Sequence, residues 1–159
     1  MRMRCRNVVF VTVLSMWWCV CLAQNSPEDF VKAHNKAREE VGVGPVEWDE
    51  NVANYAKTYM KKMLTDCNMV HSGGTYGENL AGASSELTAN DAVNLWLAEK
   101  SNYDYNSNSC VNGECMHYTQ LVWGETFNIG CAIDKCHNGF TFAICNYDPP
   151  GNFVGQKPY

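Results

Sequence analysis

The chain has 159 residues, with 17 acidic against 12 basic side chains and a formal charge of −5. That length fits one domain and leaves little room for a second. The acidic balance excludes partners recruited by positive charge, so neither nucleic acid nor an anionic lipid surface is expected.

Residues 1–23 read as an export signal. Arg2, Arg4 and Arg6 make a positive start, Val8 to Leu22 is apolar and uncharged, and Cys21 and Ala23 are small residues where a signal peptidase reads. Cleavage is expected after Ala23, which makes the protein secreted and extracellular. The apolar run is shorter than the roughly 20 residues a spanning helix needs, so no stable membrane insertion is expected. Cleavage removes three arginines and three of nine cysteines, taking the charge from −5 to −8 and leaving six cysteines. An even count in a small exported chain implies disulfides rather than metal thiolates. No Asn-x-Ser/Thr sequon is present, so no N-glycan is expected.

Residues 24–159 show no repeat and no low-complexity linker. SPEDFVKAHNKAREEV predicts a helix: Ser26 caps it, Pro27 suits its first turn, and Asp29 completes a capping box. Phe30, Ala33, His34, Ala37 and Val41 share one face, and GVGP at 42–45 stops it. Asp49 caps a second helix through about Leu64, with Val52, Ala53, Ala56, Tyr59, Met60 and Met63 in helical period. Thr88 to Asp91 offers another capping box for a third helix to about Lys100, carrying Val93, Trp96 and Leu97. NIGCAID and GFTFAICNY are short runs rich in β-branched and aromatic residues, flanking a turn at His137-Asn138-Gly139. They read as a hairpin. Helices first and a hairpin later imply an α+β domain with an antiparallel sheet.

Six cysteines allow 15 pairings. A turn near Asn138 sets Cys131 almost opposite Cys145, within disulfide reach. Cys110 and Cys115 bracket a turn-like loop and can close locally. That leaves Cys67 with Cys136, a long loop credited with about 4 kcal/mol in the chain-entropy model. Other sets among the six stay open on spacing alone.

AHNKAREEVGVGPVEWD, HSGGTYGENLA, HYTQLVW and CNYDPPGN span nearly all of the exported chain. Together they resemble the defining segments of the superfamily of cysteine-rich secretory proteins, antigen five and pathogenesis-related proteins. The ending GQKPY and the six cysteines resemble its plant group-one branch. The resemblance implies a three-layer αβα sandwich around a central antiparallel sheet, stapled by three disulfides, and a similar disulfide set. It places residues 24–159 in one domain. One departure is visible: Met116 stands before HYTQ where close relatives carry glycine, and a side chain there could crowd the site mouth.

The resemblance also implies a cleft lined by His71, Glu78, Glu99 and His117. Two imidazoles and two carboxylates can hold a divalent cation such as zinc, or can close a hydrogen-bond network without one. No cofactor is required on this reading. A zinc hydrolase would use Glu78 or Glu99 as base. However, HExxH is absent, all six cysteines are expected to be bonded, and Ser72 beside His71 is not activated by adjacency alone. Binding is therefore expected rather than catalysis, with a metal-dependent hydrolase or a non-catalytic interaction module as alternatives. His34 is expected as a hydrogen-bonded core residue and His137 as an exposed turn residue.

Plant group-one relatives are associated with sterols and antimicrobial defence. The resemblance thus implies a sterol or other lipid partner, with Leu87, Trp96 and Tyr103 as candidate contacts in an apolar groove. Trp96 suits the core equally well. It further implies a cut between Asp148 and Pro149 by a protease, releasing Pro149 to Tyr159 as a defence signal from an extended, accessible tail. A monomer is expected.

Overall fold

Ser26 Oγ accepts Asp29 N–H at 3.3 Å, and the Asp29 carboxylate accepts Ser26 N–H at 3.0 Å, so the predicted capping box starts α1 (Pro27–Glu39). This computed structural model describes residues 25–159, so the expected export signal over residues 1–23 and its expected cleavage point lie outside the described residues. Asp49 accepts Asn51 N–H and Val52 N–H to open α2 (Glu50–Asp66), immediately after the two-residue strand β1 (Glu47–Trp48). Thr88 and Asp91 form the second capping box, at α3 (Ala89–Ala98). The third helix tightens into a 3-10 turn at Glu99–Asn102 instead of running on to Lys100.

Four further elements carry weak local signals. The stretch Gly77–Ala83 forms strand β2, to which the sequence reading assigned no element. Strands β3 (Tyr103–Asp104) and β4 (Ser109–Cys110) make a small ribbon, and Met116–Leu121 forms the short helix α4. The predicted hairpin is β5 (Asn128–Lys135) and β6 (Thr141–Asp148).

The main sheet runs β1-β5-β6-β2. Both pairings of β6 are antiparallel as expected, while β1 lies parallel to β5 at one edge. Alternation along β6 defines the layers. Phe142 and Ile144 join Ala56, Met60, Met63 and Leu80 under α2. Ala143, Cys145 and Tyr147 join Phe30, Trp96, Tyr118 and Leu121 on the other face, under α1, α3 and α4. The result is the three-layer αβα sandwich. Gly130 of β5 faces α2 so closely that a Cβ would stand 2.0 Å from Ala53 N, so only glycine lets the helix lie on the strand.

Disulfides join Cys67–Cys136, Cys110–Cys115 and Cys131–Cys145. Cys131 and Cys145 are direct register partners, as the hairpin reading required.

Two buried polar groups of α1 organise the layer. Arg38, 1% exposed, meets no carboxylate. Its guanidinium donates to four backbone carbonyls: Gly44 (2.8 Å), Leu121 (3.3 Å), Trp123 (2.8 Å) and Thr126 (3.0 Å). His34, fully buried as a core residue, places Nδ1 2.8 Å from the Phe30 carbonyl and Nε2 3.0 Å from Tyr147 Oη. A carbonyl can only accept, so Nδ1 carries the proton and Nε2 accepts from the Tyr147 hydroxyl. Tyr147 in turn accepts from Asn79 Nδ2 at 3.1 Å, and the same nitrogen donates to the His117 carbonyl at 2.9 Å. A hydrogen-bonded chain therefore runs from the core histidine to the segment carrying His117.

Candidate functional site

The four residues singled out in the sequence meet as two histidine–glutamate pairs. Glu78 lies on β2 opposite Asn146 of β6, its side chain only 6% exposed. Its Oε1 accepts from His71 Nδ1 (2.8 Å) and from Ser72 N–H (2.8 Å), and its Oε2 accepts from Asn146 Nδ2 (3.1 Å). His71 itself stands in the exposed segment before β2, held through its carbonyl by the Tyr59 hydroxyl.

Glu99 ends α3. Its Oε1 accepts from His117 Nδ1 at 2.7 Å, and its Oε2 accepts the backbone N–H groups of His117 (3.0 Å) and Tyr118 (3.4 Å). Helix α4 has no side-chain cap from Cys115. Its first amides are satisfied instead by Glu99 and by Glu114, whose Oε1 accepts from Cys115 and Met116 N–H.

His71, Glu78 and His117 line one polar cleft of about 290 Å³ together with Asn79, Glu114, Met116 and Asn152. Glu99 stands behind His117. Asn79, Glu114, Asn146 and Asn152 were missed in the sequence because nothing in their spacing marks them. The CNY segment alone hinted at Asn146.

This geometry decides which cation chemistry fits. Each Nδ1 faces a carboxylate, so each Nε2 is left to carry the lone pair, the arrangement in which imidazole ligates metal. The carboxylates are committed to orienting imidazoles and backbone amides and do not converge as ligands. Among the described residues the four do not form a group of three or more close ligand atoms. Two imidazoles, completed by water, are what the cleft offers a cation.

Catalytic groups fare less well. All six cysteines among the described residues are bonded. Ser72 Oγ receives Tyr55 Oη–H (3.0 Å) and Gly74 N–H (3.3 Å), while no imidazole hydrogen-bonds to it among the described residues.

Of the candidate lipid contacts, Tyr103 lines an apolar cavity beside the tail, and Leu87 lines an open depression of about 460 Å³ with Ala83, Glu86 and Leu95. Leu87 (5% exposed) and Trp96 (2% exposed) belong to the core, and Trp96 Nε1 donates to the Leu80 carbonyl at 2.9 Å. Trp96 sits there because α3 turns its apolar face inward onto the sheet, and Leu87, just before the α3 cap Thr88, joins the same cluster. Tyr103 lines a separate, mainly apolar cavity of about 250 Å³ with Cys110, Cys115, Trp123, Phe153 and Pro158. Burial pushes its phenol up to about 12, helped by Tyr159 and Tyr105, so the hydroxyl stays protonated and donates to Asn108 Oδ1 at 2.7 Å. Met116, 47% exposed, lines both the polar cleft and this cavity, so it forms the partition between them.

The tail is hydrogen-bonded near both ends, while residues 153–157 between them are exposed. The Asp148 carbonyl accepts Phe127 N–H (3.0 Å), and the Pro149 carbonyl accepts the Thr126 hydroxyl (2.9 Å). Beyond them, Gly151 N–H donates to Gln120, Asn152 Nδ2 to the Met116 carbonyl, and Gly124 N–H to the Pro158 carbonyl. Tyr159 stacks on Tyr105 with centroids 5.0 Å apart. Prolines that disfavour helix and strand did not leave the segment loose, because α4 and the loop after it supply its partners. No helix among the described residues is long and apolar enough to cross a membrane.

The cysteine-rich secretory protein family, abbreviated CAP, matches residues 31–147. The basic form of pathogenesis-related protein 1 from Nicotiana tabacum is 56% identical over 137 residues, covering 86% of this chain and 77% of that protein. A pathogenesis-related protein 1 of Arabidopsis thaliana is 50% identical over 152 residues, covering 96% and 94%. Among solved structures, Schistosoma mansoni venom allergen-like protein 4 superposes with a TM-score of 0.66 at 31% identity, covering 84% of this chain and 92% of that one. The chain belongs to the cysteine-rich secretory protein (CAP) family, and within it to the pathogenesis-related group-one type.

Proposed function

We propose that this is a secreted defence protein that acts by binding a sterol or a related flat amphipathic lipid, with antimicrobial effect through that sequestration. The observation that carries the reading is the apolar cavity beside Tyr103. At about 250 Å³ it is small for a whole sterol. It suits one end of the ring system, with the rest lying over the exposed rim of Met116, Phe153 and Val154. Asn108, Ser109 and Gln156 supply polar groups at the wall for a hydroxyl.

Titration of the exported chain with radiolabelled cholesterol or a plant or oomycete sterol should give saturable, one-to-one binding. Phe153→Asp sets a charge against the ring system and should weaken it at least about tenfold, the equivalent of about 1.4 kcal/mol. His71→Ala and His117→Ala should leave it largely intact. Non-saturable uptake by folded protein would remove the proposal.

The cleft supports a second, separate role. His71 and His117 are held with Nε2 free, so they would hold a zinc ion, which would supply a fixed positive charge there. Both glutamates are engaged in orienting histidines, which supports binding over hydrolysis.

A precursor role for Pro149–Tyr159 requires the tail to open before the Asp148–Pro149 bond is cut, since both flanking carbonyls are hydrogen-bonded. Limited proteolysis should therefore yield that fragment from denatured chain and not from folded chain. Rapid release from protein with native near-ultraviolet circular dichroism would show the tail to be open already.

A further inference from the structure

Cys67 ends α2 in the left-handed region, with φ of 49°, and is bonded to Cys136 beside the β5–β6 turn. His137 lays its imidazole against that bond. Its Nδ1 lies 3.2 Å from Cys67 Sγ and 3.8 Å from Cys136 Sγ. Among the described residues, these three form the group whose ligand atoms all lie within 4.8 Å of one another. None of them lines the polar cleft or the apolar cavity.

We propose that this corner, once its disulfide is reduced by a thiol or dithiol, is a Cys₂His site for zinc or another thiophilic divalent cation. The dimensions carry the argument. Tetrahedral zinc with bonds of about 2.3 Å to sulfur and about 2.0 Å to nitrogen sets sulfur and nitrogen about 3.5 Å apart, and two sulfurs about 3.8 Å apart. The two observed nitrogen–sulfur distances, 3.2 and 3.8 Å, bracket the first value. The sulfurs must separate, and side-chain rotation can supply that with the Cα atoms at their present 5.8 Å. His137 is exposed and Cys67 half-buried, so the fourth position opens to solvent and takes water.

The chemistry balances. A dithiol passes two electrons and two protons to the Cys67–Cys136 bond and becomes a disulfide itself. The cation then displaces the two thiol protons to solvent and takes the Nδ1 lone pair of neutral His137. The bound cation restores the tie between the end of α2 and the hairpin. Neither of the other disulfides has a histidine nitrogen hydrogen-bonded to its sulfurs among the described residues.

Cobalt(II) is the probe, added to the exported chain after anaerobic treatment with dithiothreitol and removal of the reductant. Alkylation and peptide mapping identify the free thiols. Reduced protein should bind one equivalent more than oxidised protein, with thiolate-to-cobalt charge-transfer absorption and native near-ultraviolet circular dichroism, while oxidised protein should show none of that absorption. Cys110→Ser/Cys115→Ser should bind as well as wild type, and Cys67→Ser/Cys136→Ser should not bind. His137→Ala leaves the disulfide and fold in place and should bind at least about tenfold more weakly when reduced. Three outcomes overturn the proposal: no charge-transfer band in folded reduced protein, identical titrations for wild type and His137→Ala, or loss of the native spectrum once Cys67 and Cys136 become free.

Discussion

Arg38→Met should lower the free energy of unfolding by about 3–5 kcal/mol, because it strips the donor from four backbone carbonyls at once. The guanidinium ties α1 to the loop at Gly44, to the end of α4 at Leu121 and to the segment at Trp123 and Thr126. Methionine fills similar volume but donates nothing, so buried carbonyls lose their partners at about 1–3 kcal/mol each, partly recovered by relaxation. Burial draws the Arg38 pKa down to about 10, which still leaves it charged at neutral pH. Arg38→Lys keeps a charge but replaces a planar fork with a single ammonium that cannot span four carbonyls. It should therefore recover less than half of the loss. Urea unfolding at pH 7 with an unchanged slope measures both. A stability for Arg38→Met within about 1 kcal/mol of wild type would show that the carbonyls find other donors.

Acidification should cost about 3 kcal/mol through His34 alone. Burial is the main cause that lowers its pKa from 6.5 to about 4, with the charge on Arg38 adding to it and the Phe30 carbonyl working against it. The unfolded chain titrates near 6.5, so below that pH it binds a proton that the folded chain refuses. Stability from this source is therefore complete above about pH 6.5, declines as pH falls, and is gone below about pH 4. A protonated His34 also cannot accept the Tyr147 hydroxyl, so the chain through Asn79 to the His117 carbonyl breaks at its buried end. Surface carboxylates such as Asp91, held low by Thr88, titrate in the same direction. The comparison with His34→Gln, which has no imidazole, isolates the term. Wild type should lose about 3 kcal/mol more than His34→Gln between pH 7 and pH 4. An imidazole titrating near 6.5 in the folded protein by NMR would refute the account.

Local signals carried most of the α layer. Ser26 with Asp29, Asp49, and Thr88 with Asp91 cap helices within three residues of themselves, and apolar periodicity needs no more than one turn of context. The hairpin was legible for the same reason, and the Cys131–Cys145 bridge followed from its register. Strand β2 was not legible. Gly77–Ala83 has little intrinsic strand preference and is extended because β6 offers it a complete ladder. Leu87 and Trp96 were candidates for a groove because composition cannot say which way an apolar residue faces. The packing of α3 on the sheet put Trp96 in the core, and Leu87, just before that helix, joins the same cluster.

Sequence by itself determined the first three helices, the hairpin and its Cys131–Cys145 bridge, and the resemblance it carries pointed to the two histidines and two glutamates. Tertiary structure alone decided that His117 meets Glu99 across 18 residues, that Asn146 reaches Glu78 across 68, and that the tail closes over both cavities. Capping, periodicity and turn chemistry act over a few bonds of chain. A cleft exists only where segments far apart in sequence are driven together by burying the two faces of one sheet.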